Sequence, residues 1–190
     1  MEYKAATKED IDGVLSLHRK YHVDTIDEND KKDGFVTTQF SRELLSELID
    51  DENGLFIAKD GDRIISYVMA ASWTYCSKWP MFQYMIERLH EVEFLDTNLN
   101  TKNSYQYGPI CIDKEYRGSG VLENIFDFAR KEMNKRYPIL VTFVNKKNPR
   151  SVKAHVEKLG LEVVMEFEYN NNSYIELVYD TSKKISNSKT

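Results

Sequence analysis

The stretch Ile110-Cys111-Ile112-Asp113-Lys114-Glu115-Tyr116-Arg117-Gly118-Ser119-Gly120-Val121-Leu122 constrains this chain more than any other. Three apolar residues read as a strand, and a short acidic–basic turn follows. Two glycines then stand one residue apart. Beyond them Val121, Leu122, Ile125, Phe126, Ala129 and Met133 fall on one face of a 3.6-residue period, which predicts a helix. Strand, glycine loop and helix N-terminus in that order make an anion site. Consecutive N–H groups point one way, the helix dipole adds partial positive charge, and missing side chains let a phosphate approach. Arg117 puts a fixed cation at the mouth of the loop.

The rest of the chain says which kind of fold carries this loop. A strand over 3–6 leads to Thr7 and Asp10, spaced as a capping box, so a helix starts near Lys8 with Ile11, Val14, Leu15, His18, Tyr21 and His22 on one stripe. Residues 23–36 are polar and acidic and read as a loop; a helix follows over 38–50. Asp60-Gly61-Asp62 joins strands over 55–59 and 63–75, a strong hairpin signal. Pro80 suits the first turn of a helix over 79–90, and 91–103 reads as irregular. Residues 104–112 are strand-like but carry Gly108-Pro109, and proline cannot donate to a ladder, so a bulge or a splay between strands is expected there.

The unbroken apolar run 139–144 suits a strand covered on both faces. Asn148 and Pro149 begin a further helix and Gly160 stops it. Residues 161–169 and 173–179 form a last hairpin, and 181–190 are a polar tail with no core to join. The order β, α, α, β, β, α, β, α, β, α, β, β predicts one α/β (α+β) domain over 1–180 with a mixed sheet and helices on both faces. It excludes a doubly wound dinucleotide fold, which needs its glycine loop after the first strand with G-x-G-x-x-G spacing. No Gly-Lys-Ser/Thr follows the loop, so it is not a Walker motif either.

Composition narrows the partners. With 26 basic and 31 acidic residues the net charge is −5, which argues against nucleic acid, since phosphate-backbone binding calls for a basic surplus. No apolar run reaches membrane-spanning length, so no membrane partner is expected. Cys76 and Cys111 lie far apart without metal spacing, and a reduced, cytoplasmic chain is the expectation. His18 and His22 have the i, i+4 spacing of metal ligands, but they lie on an apolar stripe with no third ligand, so no metal is expected.

Two motifs carry a family resemblance. Arg117-Gly118-Ser119-Gly120-Val121-Leu122, after the strand 110–112, resembles the acyl-CoA pyrophosphate loop of the GNAT superfamily of N-acetyltransferases, whose pattern is Gln/Arg-x-x-Gly-x-Gly/Ala. Arg117 and Gly120 match; Leu122 departs where a small residue is usual. Residues 145–161, with Asn145, Asn148-Pro149-Arg150-Ser151 and Lys158-Leu159-Gly160-Leu161, resemble the later family segment that packs against the pantetheine arm. Element order agrees over roughly residues 2–180, which implies the mixed, mostly antiparallel twisted GNAT sheet.

The resemblance implies acetyl-CoA as cosubstrate and a primary amine, on a small molecule or a peptide, as acceptor. The cofactor side would be Ile110, Cys111 and Ile112, then Arg117, Gly118, Ser119, Gly120, Val121 and Leu122, with Asn145, Asn148 and Ser151 along the arm. Family members often place a carboxylate on the strand before the cofactor segment. Here those positions are Tyr105, Gln106 and Tyr107. A tyrosine on the later helix is often the acid; the matching place is near Val156, beside His155. The candidate catalytic side chains are therefore Tyr107 and His155, with Glu91 and Glu93 as further bases. Trp73, Tyr75, Trp79, Phe82 and Tyr84 read as core or as an acceptor wall. A CoA-binding module without turnover, a transferase of longer acyl chains, and a homodimer paired through the final hairpin all stay open.

Overall fold

The computed structural model describes residues 1–185. It divides into two compact units, one of residues 1–70 with 108–129, the other of 71–107 with the described residues from 130 to 185. Strands β1 (Glu2–Ala5), β2 (Leu55–Asp60) and β3 (Arg63–Ala71), all but its last residue in the first unit, pair antiparallel, with Tyr3 opposite Ala58 and Phe56 opposite Val68. The capping box at Thr7 and Asp10 forms as expected and opens a single 3-10 turn. Helix α1 (Ile11–Tyr21) follows and buries Ile11, Val14, Leu17, His18 and Tyr21. Helix α2 (Arg42–Asp50) begins later than the sequence suggests, because the Ser41 hydroxyl accepts the N–H of Leu44 and caps it there.

Strand β3 ends at Ala71, four residues short of the expected 75. The Ser72 side chain accepts the N–H of Tyr75 at 3.1 Å and starts a one-turn helix, α3 (Trp73–Cys76). The alternating aromatics there look like strand, but a local cap wins. In this second unit α4 (Pro80–Arg88) carries Pro80 at its first turn, and the segment expected to be irregular contains a small hairpin, β4 (Glu93–Phe94) and β5 (Thr97–Asn98). Leu95 and Asp96 turn it with φ of 53° and 58°.

Strand β6 (Ser104–Ile112) contributes to both units, as does helix α5 (Val121–Met133). Strand β7 (Ile139–Asn145) is buried along most of its length, as its apolar run requires. Helix α6 (Pro149–Lys153) runs into a π-helical turn over Ala154–Lys158, and Gly160 stops it at φ 76°. The final hairpin is β8 (Glu162–Tyr169) and β9 (Asn172–Asp180). Seven strands form one sheet in the order β1-β2-β3-β6-β7-β9-β8. Its β6–β7 pair is parallel, with Gln106 opposite Val141, whereas β1–β2, β2–β3, β7–β9 and β8–β9 are antiparallel. This is the mixed sheet that the element order predicts, mostly antiparallel as the family resemblance implies.

Thr181, expected to open the polar tail, belongs to the core. Thr181 is fully buried: its N–H donates to the Pro138 carbonyl and its hydroxyl to Tyr137 O and Asn134 Oδ1. Arg130, placed by periodicity on the polar face of α5, is buried and donates to the Thr181 carbonyl. Residues 186–190 of the expected tail lie outside the described residues. No helix among the described residues is long and apolar enough to cross a membrane.

Candidate functional site

The loop after β6 is held by one buried carboxylate. Asp113 donates its N–H to Ile65 O at 2.9 Å, and its side chain caps a 3-10 turn, Lys114–Tyr116, by accepting the Glu115 N–H. Lys20 Nζ and Arg63 Nη2 pair with Oδ2 at 2.9 and 2.7 Å, and Tyr21 OH donates to Oδ1. Burial alone would raise this carboxyl, but the hydrogen bonds from Lys20 and Arg63 outweigh it and hold it at about 2. Asp113 escapes the sequence reading because its partners come from α1 and β3. The only sequence signal for it is an aspartate at the end of a strand.

Arg117 is pinned rather than free. Its Nε donates to Ile112 O at 3.1 Å and its Nη1 to Asp33 O at 3.0 Å, with the guanidinium 5.0 Å from the Tyr21 ring centroid. The backbone then turns through Gly118 at φ 80° and Gly120 at φ 85°. A Cβ at Gly118 would meet nothing within 4 Å, and one at Gly120 only Asn124 Nδ2 at 3.6 Å, so the loop faces open space. The N–H groups of Arg117 and Ser119 go to Lys114 O and Tyr116 O, and the Ser119 hydroxyl also turns back to Tyr116 O. Among the described residues the N–H groups of Gly118, Gly120, Val121 and Leu122 have no backbone acceptor. These four donors at a helix N-terminus suit an anion with several oxygens, and a diphosphate is such a group.

Upstream of the loop, Ile110 and Ile112 are half-buried and Cys111 is buried. Burial pushes the Cys111 thiol up to about 12, which makes it inert, and its carbonyl accepts from Ser66 Oγ. The paired histidines also belong to the packing. His18 Nδ1 lies 2.7 Å from Tyr67 OH against Phe40, and burial together with His22 lowers its imidazole to about 4. No group of three metal-ligating side chains occurs among the described residues.

The remaining candidates lie in the second unit. Asn148 caps α6 by accepting the Ser151 N–H at 3.1 Å. Asn145 accepts the Lys147 N–H and reaches Asn172. His155 is buried; its Nδ1 lies 2.8 Å from Ser151 O and 3.3 Å from Ser151 Oγ, and burial lowers its pKa. The Tyr107 ring stands edge-on to it at 6.3 Å between centroids, and burial raises that phenol well above its usual value. Structure thus brings the two candidate catalytic side chains together. Glu91 and Glu93 are exposed, and Glu91 pairs with Arg88 at 2.9 Å. Trp73 is core, donating from Nε1 to Ser104 Oγ, and Tyr75 and Phe82 are buried, whereas Trp79 and Tyr84 are half-buried.

Sequence reasoning missed Glu176. It sits in the middle of β9, opposite Phe143 of β7 and Met165 of β8, and is only 3% exposed. Its Oε1 has no hydrogen-bond partner among the described residues. Burial raises its carboxyl to about 7; Arg88 opposes that rise and Glu91 adds to it. A lone glutamate in a strand ordinarily reads as solvent-facing, and the sequence holds no signal that this position is covered.

No family model matches the chain, and no curated protein matches it in sequence. Solved structures do match in shape. A ribosomal-protein-alanine N-acetyltransferase from Brucella melitensis superposes with a TM-score of 0.63 at 12% identity, over 95% of this chain and 99% of that one. The yncA protein of Salmonella typhimurium, solved with its cofactor acetyl-CoA, gives 0.60 at 8% identity over 95% and 93%. The NatC complex bound to Gag peptide and CoA gives 0.61 at 12% identity over 94% and 97%. Near-complete coverage in both directions, with the glycine loop between β6 and α5 and the mixed strand order, gives this chain the fold of the GNAT N-acetyltransferases.

Proposed function

We propose that the chain is an acyl-CoA-dependent N-acyltransferase that moves an acetyl group from acetyl-CoA to a primary amine by direct attack. The loop 117–122 carries this reading, with two glycines at positive φ, open space above them and four N–H groups without a backbone acceptor. Structures of the same fold that were solved with acetyl-CoA or CoA support it. Acetyl-CoA supplies the activated acyl carbon as a thioester. Gly118, Gly120, Val121 and Leu122 hold the pyrophosphate through their N–H groups, and the extended backbone over 110–112 pairs with the pantetheine amides as an added strand would.

Tyr107 holds the proton for the departing thiolate. Burial raises its phenol well above the usual value, so it is protonated at neutral pH but is a weak acid, and only the charge developing on the departing thiolate draws the proton across from Oη. His155 is a positioning residue: neutral, with Nδ1 tied to Ser151, it packs its ring against Tyr107. Alignment of the two substrates contributes much of the rate.

The test is a thermal shift with CoA and with acetyl-CoA, followed by thiol release over a panel of amines with acetyl-CoA and with hexanoyl-CoA. A shift with thiol release is expected, faster with the acetyl thioester. No shift with either ligand overturns the reading. A shift without thiol release from any amine assigns the chain to the non-catalytic CoA-binding class instead. That second reading has one specific support, the absence of a carboxylate at Tyr105, Gln106 and Tyr107.

A further inference from the structure

Glu176 stands out because nothing in the fold requires it to be charged. The β7–β9–β8 ladders place Phe143, Met165 and Glu176 side by side on one face, and antiparallel partners share a face. Phe143 and Met165 are half-buried, as is Tyr174, whose ring lies 5.6 Å from that of Phe143. Tyr84 of α4 approaches the same face, 5.8 Å from Phe167. Glu176 therefore lies, buried, on an aromatic and apolar face whose neighbouring side chains are half-exposed to solvent.

The charges there do not close. Arg88 is held by Glu91 through Nη2 at 2.9 Å, and its guanidinium lies 5.4 Å from the Tyr84 ring centroid. With Arg88 paired to Glu91, Glu176 keeps no ion-pair partner of its own: burial favours its protonated form despite the pull of Arg88, and among the described residues its Oε1 has no hydrogen-bond partner. A buried carboxylate without a partner is expensive, and such groups persist where a ligand completes them. What completes this one is a cation small enough to donate to Oε1, carried on a body that packs against aromatic rings. Arg88 Nε is also buried without an acceptor, so an oxygen on the same ligand would be satisfied beside the cation.

We propose that Glu176 is the acceptor-recognition residue, and that its ligand is a primary ammonium group on an aromatic or apolar body. Amines bearing a nearby carbonyl oxygen, as amino-acid amides do, additionally engage Arg88. This rests on the N-acyltransferase reading and names its acceptor class. As ligand, the ammonium donates to Oε1; as reactant, it must lose a proton before its nitrogen can attack, and the carboxylate that holds it is placed to take that proton. Among the described residues, Arg88 and Glu91 act on Glu176 from the α4 side, and Tyr174 shares its face of β9.

The experiment compares wild type with Glu176→Gln, using phenethylamine and phenylalaninamide as acceptors at saturating acetyl-CoA, with calorimetric titration of both amines in the absence of turnover. The thermal shift with CoA should be the same for both proteins, which shows that the variant is folded and keeps the cofactor loop. The substitution should raise the KM for either amine at least tenfold and abolish its calorimetric binding. Phenylalaninamide should bind wild type more tightly than phenethylamine, and Arg88→Met should erase that difference. In wild type the amine affinity should fall as pH drops below about 7; in the variant it should not. Equal amine KM and equal pH profiles in the two proteins overturn the proposal and leave the acyltransferase reading intact. Absence of thiol release in wild type overturns that reading instead; the titration then decides, and amine binding unaffected by Glu176→Gln, or absent from wild type, rejects the site. Should Glu176→Gln not fold, a pH-independent amine affinity in wild type rejects it equally.

Discussion

Tyr21 and Asp113, 92 positions apart, share a hydrogen bond of 3.1 Å, and the same phenol oxygen accepts the Lys114 N–H at 2.8 Å. One hydroxyl at the end of α1 thus fixes both the carboxylate and the first backbone turn that lead into the glycine loop. Tyr21→Phe removes both bonds with little change in volume. It should cost roughly 1–3 kcal/mol, because Lys114 N–H and Asp113 are left short of a partner. CoA affinity should fall severalfold as the loop loosens. Urea unfolding and CoA titration check the two effects; unchanged affinity at reduced stability would detach Tyr21 from the loop.

Asp113→Asn removes the ion pairs themselves. The carboxyl is held near 2 against an ordinary 3.8, so its ion pairs contribute about 2 kcal/mol at neutral pH. Because the folded value is the lower one, that stability is present above pH 4 and is lost only as pH falls towards 2. Acid titration of the wild type against the variant, followed by circular dichroism, should show the two curves converging below that range.

Gly120→Asp should lower CoA affinity at least a hundredfold and leave the fold intact. The backbone there is at φ 85° and the added Cβ has only Asn124 Nδ2 near it, so strain costs about 1 kcal/mol and no clash follows. The new carboxylate, however, stands beside the N–H groups of Gly120, Val121 and Leu122 and repels the phosphate they are proposed to hold. Gly120→Ala is the control for strain and should retain most of the affinity. An aspartate variant that binds CoA like wild type removes the loop from the cofactor site.

Tyr107→Phe should lower kcat by about two orders of magnitude while leaving the KM for acetyl-CoA unchanged, the signature of a lost proton donor. His155→Gln should lower kcat less, since its contact with Tyr107 is ring packing at 6.3 Å. Pre-steady-state thiol release separates the chemical step from product release. An unaltered kcat in Tyr107→Phe assigns the acid elsewhere.

Glu176 also makes a prediction about stability. Its folded value of about 7 lies above the ordinary 4.5, so the folded state favours the protonated form. The stability this confers is present below about pH 4.5 and is lost as pH rises through 7, a difference on the order of 3 kcal/mol. His18 acts in the opposite sense over part of the same range, since its folded value of about 4 lies below 6.5. The wild-type curve alone therefore mixes the two. The difference between wild type and Glu176→Gln isolates the glutamate, and the variant should be the more stable at pH 8. A variant that is less stable at pH 8 would give Glu176 a purely structural role.

Much of the local structure around the glycine loop and the later helix was legible in the sequence. Positive φ at Gly118 and Gly120, the cap at Asn148, the stop at Gly160 and the buried run of β7 all follow from local rules. Those rules involve only a few neighbouring residues. Two local errors have the same origin: Ser72 ends β3 early and Ser41 delays α2, each by a side-chain cap that competes with periodicity. Arg117 shows where local reading stops. Its place at the mouth of the loop could be foreseen, but its ties to Ile112 O, Asp33 O and the Tyr21 ring could not.

Sequence alone determined the glycine loop, the helix that follows it and the element order that suits a mixed sheet, because each depends on backbone conformation and short-range spacing. Tertiary structure decided what those elements enclose. Asp113 is strongly acidic because α1 and β3 bring Lys20 and Arg63 to it, and Glu176 is weakly acidic because its face of β9 is removed from water while Arg88 is held by Glu91. Two carboxyls with ordinary values near 4 end up about five units apart, at about 2 and about 7, since desolvation and charge pairing depend on neighbours that a linear sequence does not reveal.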